Sequence, residues 1–120
     1  MSDQEIEREI QAKGLTAARV TPEDIEAGIS QEFYFTAEDG VVGAHYPEVV
    51  HNRDQPHTLS RLTFCVLVLR NGFIVTGESA CASPENFDAE LGRKIARQDA
   101  VYKMWPLMGF ALRERLSEQR

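Results

Sequence analysis

The sequence predicts an α+β fold: a small antiparallel sheet built on a central β-hairpin, with N-terminal helices and a long, Pro-kinked C-terminal helix. Three observations carry that expectation. Asn71-Gly72 stands between two apolar runs, RLTFCVLVLR and FIVTGESAC, and Asn-Gly between such runs is the strongest short-range hairpin signal. Two helix-start patterns come before it, at Ser2 and at Thr21-Pro22, where a capping side chain leads into apolar residues at helical spacing. After it, Phe87, Leu91, Ile95, Tyr102 and Trp105 recur along one helical stripe that reaches Pro106, where a ring without an N–H kinks or breaks a helix.

Each element follows in order. Ser2 with Glu5 reads as a capping box, Ile6 and Ile10 as the narrow apolar side of a loosely attached helix, and Gly14 as its stop. Thr21-Pro22-Glu23-Asp24 starts a second helix, with Val20 and Ile25 placed as a hydrophobic staple. Residues 1–30 thus form a helical leader and residues 31–116 the core, with a polar tail at 117–120. Glu32–Thr36 (EFYFT) alternates as a short strand should. Residues 37–60 show no sustained periodicity and read as a long loop, a length that is uncommon in compact domains unless it is functional or disordered. A two-residue type I′ turn would place Val68 opposite Val75 and Cys65 opposite Glu78. Cys65 and Cys81 would then lie on opposite faces, unable to form a disulfide. Both sheet faces would be apolar and so covered, by helices or by another subunit. Ser83-Pro84 reads as the start of the last helical region, and Ala89, Gly92, Ala96 and Ala100 give that region a second, narrow face of small side chains.

Composition excludes some functions. The 120 residues suit one domain, and 42% hydrophobic with 27% charged residues is ordinary for a globular chain. A net charge of −6 argues against a protein that grips duplex nucleic acid through counterion release. The charge is uneven: residues 1–60 carry 12 acidic and 4 basic side chains, whereas residues 61–120 carry 7 and 9. The longest apolar run, Phe64–Leu69, is far below the ~20 residues of a membrane helix, and two cysteines in an acidic, leaderless chain read as reduced thiols.

Candidate chemistry is sparse. His45, His51 and His57, with Asp54, are metal-ligand types at spacings wider than familiar sites, so no metal or other cofactor is expected. Cys81 before a helix start would have a lowered pKa but lacks a nearby base, and Glu78 on an apolar face would be a base only if held without a partner. No catalytic residue is assigned. Arg93 and Arg97 adjoin on one side of the last helix beside Lys94, with Glu90 as an ordinary partner. Together with the Ser83–Asn86 helix start they form the candidate anion site, because guanidinium forks and free helix N–H groups both suit phosphate.

The run Thr63–Leu116 carries a resemblance as well. Asn71-Gly72-Phe73, Thr76-Gly77-Glu78-Ser79-Ala80, Asn86-Phe87-Asp88, Gly92-Arg93-Lys94-Ile95-Ala96 and Trp105-Pro106 resemble a small family encoded by tailed phages and prophages, the phage gene forty-nine/gene sixty-six family. The resemblance covers about half the chain strongly, and implies a phage or prophage origin, a host-cytoplasmic location and an accessory rather than virion role. The Phe87-Asp88…Gly92-Arg93…Ile95-Ala96 pattern is also similar to small phage proteins that sequester nucleotide immune signals. The expected function is therefore non-enzymatic binding to a host protein. The alternative is sequestration of a small anionic nucleotide through Arg93, Arg97, Ser83 and Asn86, and the distant third is a small enzyme using Glu78 or Cys81. Two apolar sheet faces and a small-residue helix face predict a homo-dimer or higher homo-oligomer.

Overall fold

Capping chemistry punctuates the N-terminal half. In the computed structural model, which describes residues 2–45 and 58–119, Ser2 and Glu5 exchange side-chain and backbone hydrogen bonds at 3.0 and 3.1 Å to open α1, Asp3–Ala12. Gly14 follows its end at φ +68°. Thr21 and Asp24 open α2, Pro22–Ala27, in the same way. A third box, Thr36 with Asp39, opens α3, Ala37–Gly43. The stretch expected to be a loop therefore begins as a helix, because Thr36-Ala37-Glu38-Asp39 repeats the cap chemistry of Thr21-Pro22-Glu23-Asp24.

Between these helices and the C-terminus lies a three-stranded antiparallel sheet: β1 Ile29–Thr36, β2 Leu62–Leu69 and β3 Ile74–Ala80, in the order β1-β2-β3. The central hairpin is as expected, but its turn is not. Leu69 N–H donates to the Phe73 carbonyl at 2.8 Å and Gly72 N–H to the Leu69 carbonyl at 2.9 Å, so the turn holds Arg70, Asn71 and Gly72. Gly72 sits at φ +88°, and Asn71 is not in the left-handed region. That is the three-residue loop with a glycine bulge, in place of type I′. The extra residue moves the register by one, so that Leu67 opposes Val75, Cys65 opposes Gly77 and Phe64 opposes Glu78. Because side chains alternate, β3 turns the other face to the core. Thr63, Cys65, Leu67, Leu69, Val75 and Gly77 form the covered face. Cys65 and Cys81 are both free, as expected, but for a different reason. Cys81 pairs with Arg61, four residues along β2 from Cys65, a separation of ~13 Å that no disulfide spans.

The long helix α4, Ala89–Glu118, starts at Asp88, whose carboxylate accepts the Leu91 N–H at 3.0 Å, and runs unbroken through Pro106. The face it buries is the narrow one: Gly92, Ala96 and Ala100, continued by Met104. The larger stripe faces away from the sheet, leaving Leu91, Ile95 and Tyr102 exposed. Gly77 explains the choice. A Cβ there would lie 2.0 Å from the Ala96 carbonyl oxygen and 2.4 Å from the Ala100 nitrogen, so strand and helix backbones touch. Only small residues allow that approach. The second sheet face, with Phe33, Phe35, Phe64, Val66, Val68 and Ile74, has no covering layer of comparable extent among the described residues, contrary to expectation; Phe33 is 52% and Ile74 56% exposed. A helix of ~45 Å on strands of ~26 Å makes the molecule long, with extents of 62 × 29 × 16 Å.

α1 buries no residue. It is held by the Trp105 indole N–H donating to Asp3 at 3.2 Å and by a two-pronged Arg19–Glu7 pair at 2.5 and 2.7 Å. The Arg19 hydrogen bonds, helped by one from Gln11, lower the Glu7 pKa from the ordinary 4.5 to about 2. A depressed carboxylate stabilises above its unfolded pKa and loses that contribution as pH falls through the folded one. Amide exchange of residues 3–12 should therefore be protected at pH 5 and accelerate relative to β2 as pH approaches 2. A constant ratio across that range would show that the pair does not hold α1.

Candidate functional site

The two arginines of the sequence-derived site are separated by the fold. Arg97 points to carboxylates on two other elements, bonding Glu26 of α2 at 2.8 and 3.1 Å and Glu32 of β1 at 3.3–3.4 Å. Glu32 also accepts from the Tyr34 hydroxyl at 2.8 Å. The hydrogen bonds that Arg97 donates to Glu26 lead in raising its pKa above its already high value. Burial pushes the Glu32 carboxyl up, but the Arg97 and Tyr34 hydrogen bonds together bring it below the usual range. Burial, then the bond to Glu32, raises the Tyr34 phenol, and burial raises the Cys65 thiol. Arg97 is a strut joining α4, α2 and β1, with its hydrogen-bonding capacity largely spent inside the molecule. Lys94 pairs with Glu90 at 3.5 Å on the exposed helix surface, the ordinary arrangement for that spacing.

Arg93 is exposed and has no ion-pair partner among the described residues. It lines a cavity of about 100 Å³ with Tyr34, Phe35, Thr36, Asp39, Thr63, Phe87 and Ala89. Thr63 is 3% exposed, yet its hydroxyl has no hydrogen-bond partner among the described residues. Gly92 leaves room for it, since a Cβ there would sit 3.1 Å from the Thr63 oxygen. Asp39 at the rim is committed to its cap, accepting the Thr36 N–H at 2.9 Å.

Ser83 and Asn86 do not join this cavity. Ser83 precedes and Asn86 ends a three-residue 3-10 turn, Pro84–Asn86, without a side-chain cap, so the helix start expected there falls instead at Asp88. For the same reason Cys81 does not face a helix N-terminus; its thiol donates to the Ser83 carbonyl at 3.1 Å. Glu78 lies exposed on the open face, across from Phe64 and not Cys65. His45 is exposed at φ 62° after α3, and His51, Asp54 and His57 lie outside the described residues. Among the described residues no cluster could hold a metal ion and no helix is long and apolar enough to cross a membrane. Sequence reasoning missed Tyr34, Asp39 and Thr63. Thr63 did carry a signal: it is the polar residue in an alternation whose other members, Cys65, Leu67 and Leu69, are buried apolar groups.

These elements define a class: a small α+β module in which one long helix lies on an antiparallel meander, with a cavity where the first helical turn of α4 meets β1 and β2. The chain belongs to the Phage protein (N4 Gp49/phage Sf6 gene 66) family, whose profile matches residues 20–116. The match takes in the hairpin, α4 and the cavity, and leaves α1 outside. No curated protein and no solved structure matches the chain.

Proposed function

We propose that the protein is a phage accessory protein of the host cytoplasm that binds a small phosphate-bearing ligand, a nucleotide, at the Arg93 cavity. The observation that carries this reading is the buried Thr63 hydroxyl in the same cavity as the Arg93 guanidinium, neither of them partnered among the described residues. A buried polar group without a hydrogen bond costs ~1–3 kcal/mol, and a phosphate oxygen would satisfy it while Arg93 neutralises the charge. At about 100 Å³ the cavity admits a phosphate-sized group. The sugar and base would lie outside it.

Thermal shift against cyclic and linear nucleotides tests this. A nucleotide at 100 times its Kd should stabilise the wild type by ~2.7 kcal/mol, and Arg93→Ala should abolish the shift. Thr63→Val should weaken it while leaving the unliganded protein as stable as wild type or more so, since it removes an unsatisfied hydroxyl. No response to any nucleotide, or a response that survives Arg93→Ala, overturns the reading. Binding to a host protein is the second reading. It is supported by the apolar side of α4 that faces solvent, where Leu91, Ile95 and Tyr102 are each at least 45% exposed, a pattern associated with interaction surfaces.

A further inference from the structure

The two edges of the sheet are treated differently. Along β3, Asp99 accepts the outward Glu78 N–H at 3.0 Å and Lys103 donates to the outward Thr76 carbonyl at 2.6 Å. Two side chains one helical turn apart on α4 thus occupy the positions a further strand would take. β1 has no such guard among the described residues. In β2 the peptide groups of Arg61 and Leu69 face β3, so alternation turns those of Phe64, Val66 and Val68 toward β1. Their partners there are Phe35, Phe33 and Gln31. The N–H and C=O groups of Glu32 and Tyr34 consequently point outward, and they have no partner among the described residues.

We propose that β1 pairs antiparallel with β1 of a second copy about a two-fold axis at Phe33, joining the two sheets into one of six strands. This register follows from the chemistry. It sets Glu32 opposite Tyr34 of the second copy, and each such pair exchanges both of its peptide hydrogen bonds, which satisfies every outward group of those residues. A shift of one residue toward the N-terminus would set Glu32 against itself, and like charges directly opposite are destabilising. On the open face the axis brings the two Phe33 rings together as a non-hydrogen-bonded pair, the closer kind, and burial of that half-exposed ring adds to the pairing. A second copy fits better than an unrelated strand because an antiparallel two-fold is self-complementary. The guarded β3 edge then stops growth at two, where an unguarded one would permit a fibre. This inference is independent of the anion reading.

One strand edge is less than the ~1,600 Å² of a standard interface, so the assembly should depend on concentration. Sedimentation of the full chain should show its weight-average mass rising with concentration from that of one chain toward that of two, reaching about 1.5 times one chain near 1 mM, where half of the chains would be paired. Phe33→Cys in a Cys81→Ala background should form an intermolecular disulfide under mild oxidation, because Cβ atoms of such a pair lie ~4.5–5.5 Å apart. Ile74→Cys, equally exposed on the same face but on the guarded strand, should not. A chain that stays monomeric throughout overturns the proposal. So does a dimer that cross-links through Ile74→Cys and not Phe33→Cys, which would mean the open faces pack on each other.

Discussion

Gly77→Ala is expected to lower unfolding free energy by ~3 kcal/mol or more, the largest effect of any single substitution considered. The added carbon would lie 2.0 Å from the Ala96 carbonyl oxygen and 2.4 Å from the Ala100 nitrogen. Neither atom belongs to a side chain that can rotate away, so helix and strand must separate. Overpacking costs ~1–3 kcal/mol where neighbours are side chains, and more where they are backbone. The separation would also loosen Met104 of the helix and Leu67 of the neighbouring strand β2, both fully buried, each worth ~1.5–3 kcal/mol of burial. A domain with ~5–15 kcal/mol in total would be left marginal. Gly109→Ala is the matched control: it is a helical glycine with nothing within 4 Å of its added carbon, and should gain up to ~1 kcal/mol from helix propensity. Urea unfolding followed by circular dichroism distinguishes them. A Gly77→Ala midpoint equal to wild type would mean α4 does not contact β3 as closely as described.

The second large effect belongs to Arg97. Arg97→Ala should cost about 1.5–3 kcal/mol at pH 7, the range for hydrogen bonds to charged groups, set toward its lower end because Glu26 and Glu32 are partly exposed and screened. Most of the loss arises from leaving two carboxylates near each other without a cation. The pH dependence has a definite sign. Glu32 has a lowered pKa in the folded state, so its contribution is present above the ordinary value near 4.5 and fades as pH falls below it. The stability gap between wild type and Arg97→Ala should narrow between pH 5 and pH 3, and Glu26→Gln with Glu32→Gln should recover part of it at pH 7. A gap that is flat with pH would assign the loss to packing of the Arg97 stem instead of to its charge.

What could be read in the sequence was what local chemistry decides. Ser2, Thr21 and the Asn71-Gly72 turn region each act within a few residues, and each marks its element. The Thr36 cap was equally local, but it opens a helix of only seven residues, too short for periodicity to announce. The hairpin register depended on whether Arg70 belongs to the strand or the turn, a question of one backbone dihedral that residue types leave open. The burying face of α4 was misjudged because large apolar residues usually mark the core, whereas here a glycine in β3 draws the backbones together and selects Gly92, Ala96 and Ala100. Arg97 was legible as a cation and not as a strut, since its partners Glu26 and Glu32 lie 71 and 65 residues away. The Arg93 cavity likewise depends on β1, β2 and α4 converging. Only Arg93 of its polar residues stood out in advance.

The unbroken course of α4 through Pro106 has a mechanical meaning. Proline brings no N–H, so the Tyr102 carbonyl lacks its usual donor one turn on. That missing bond falls just past Met104, the last fully buried residue of the helix. Beyond it, Phe110 is 69% exposed. Met108 still packs against the core beside Gly28, so the section that lacks this hydrogen bond lies inside the anchored part of the helix. It gives the rod a point of compliance between Met104 and Met108, where a load on the last turns would be absorbed before it reaches the Arg93 cavity at the opposite end.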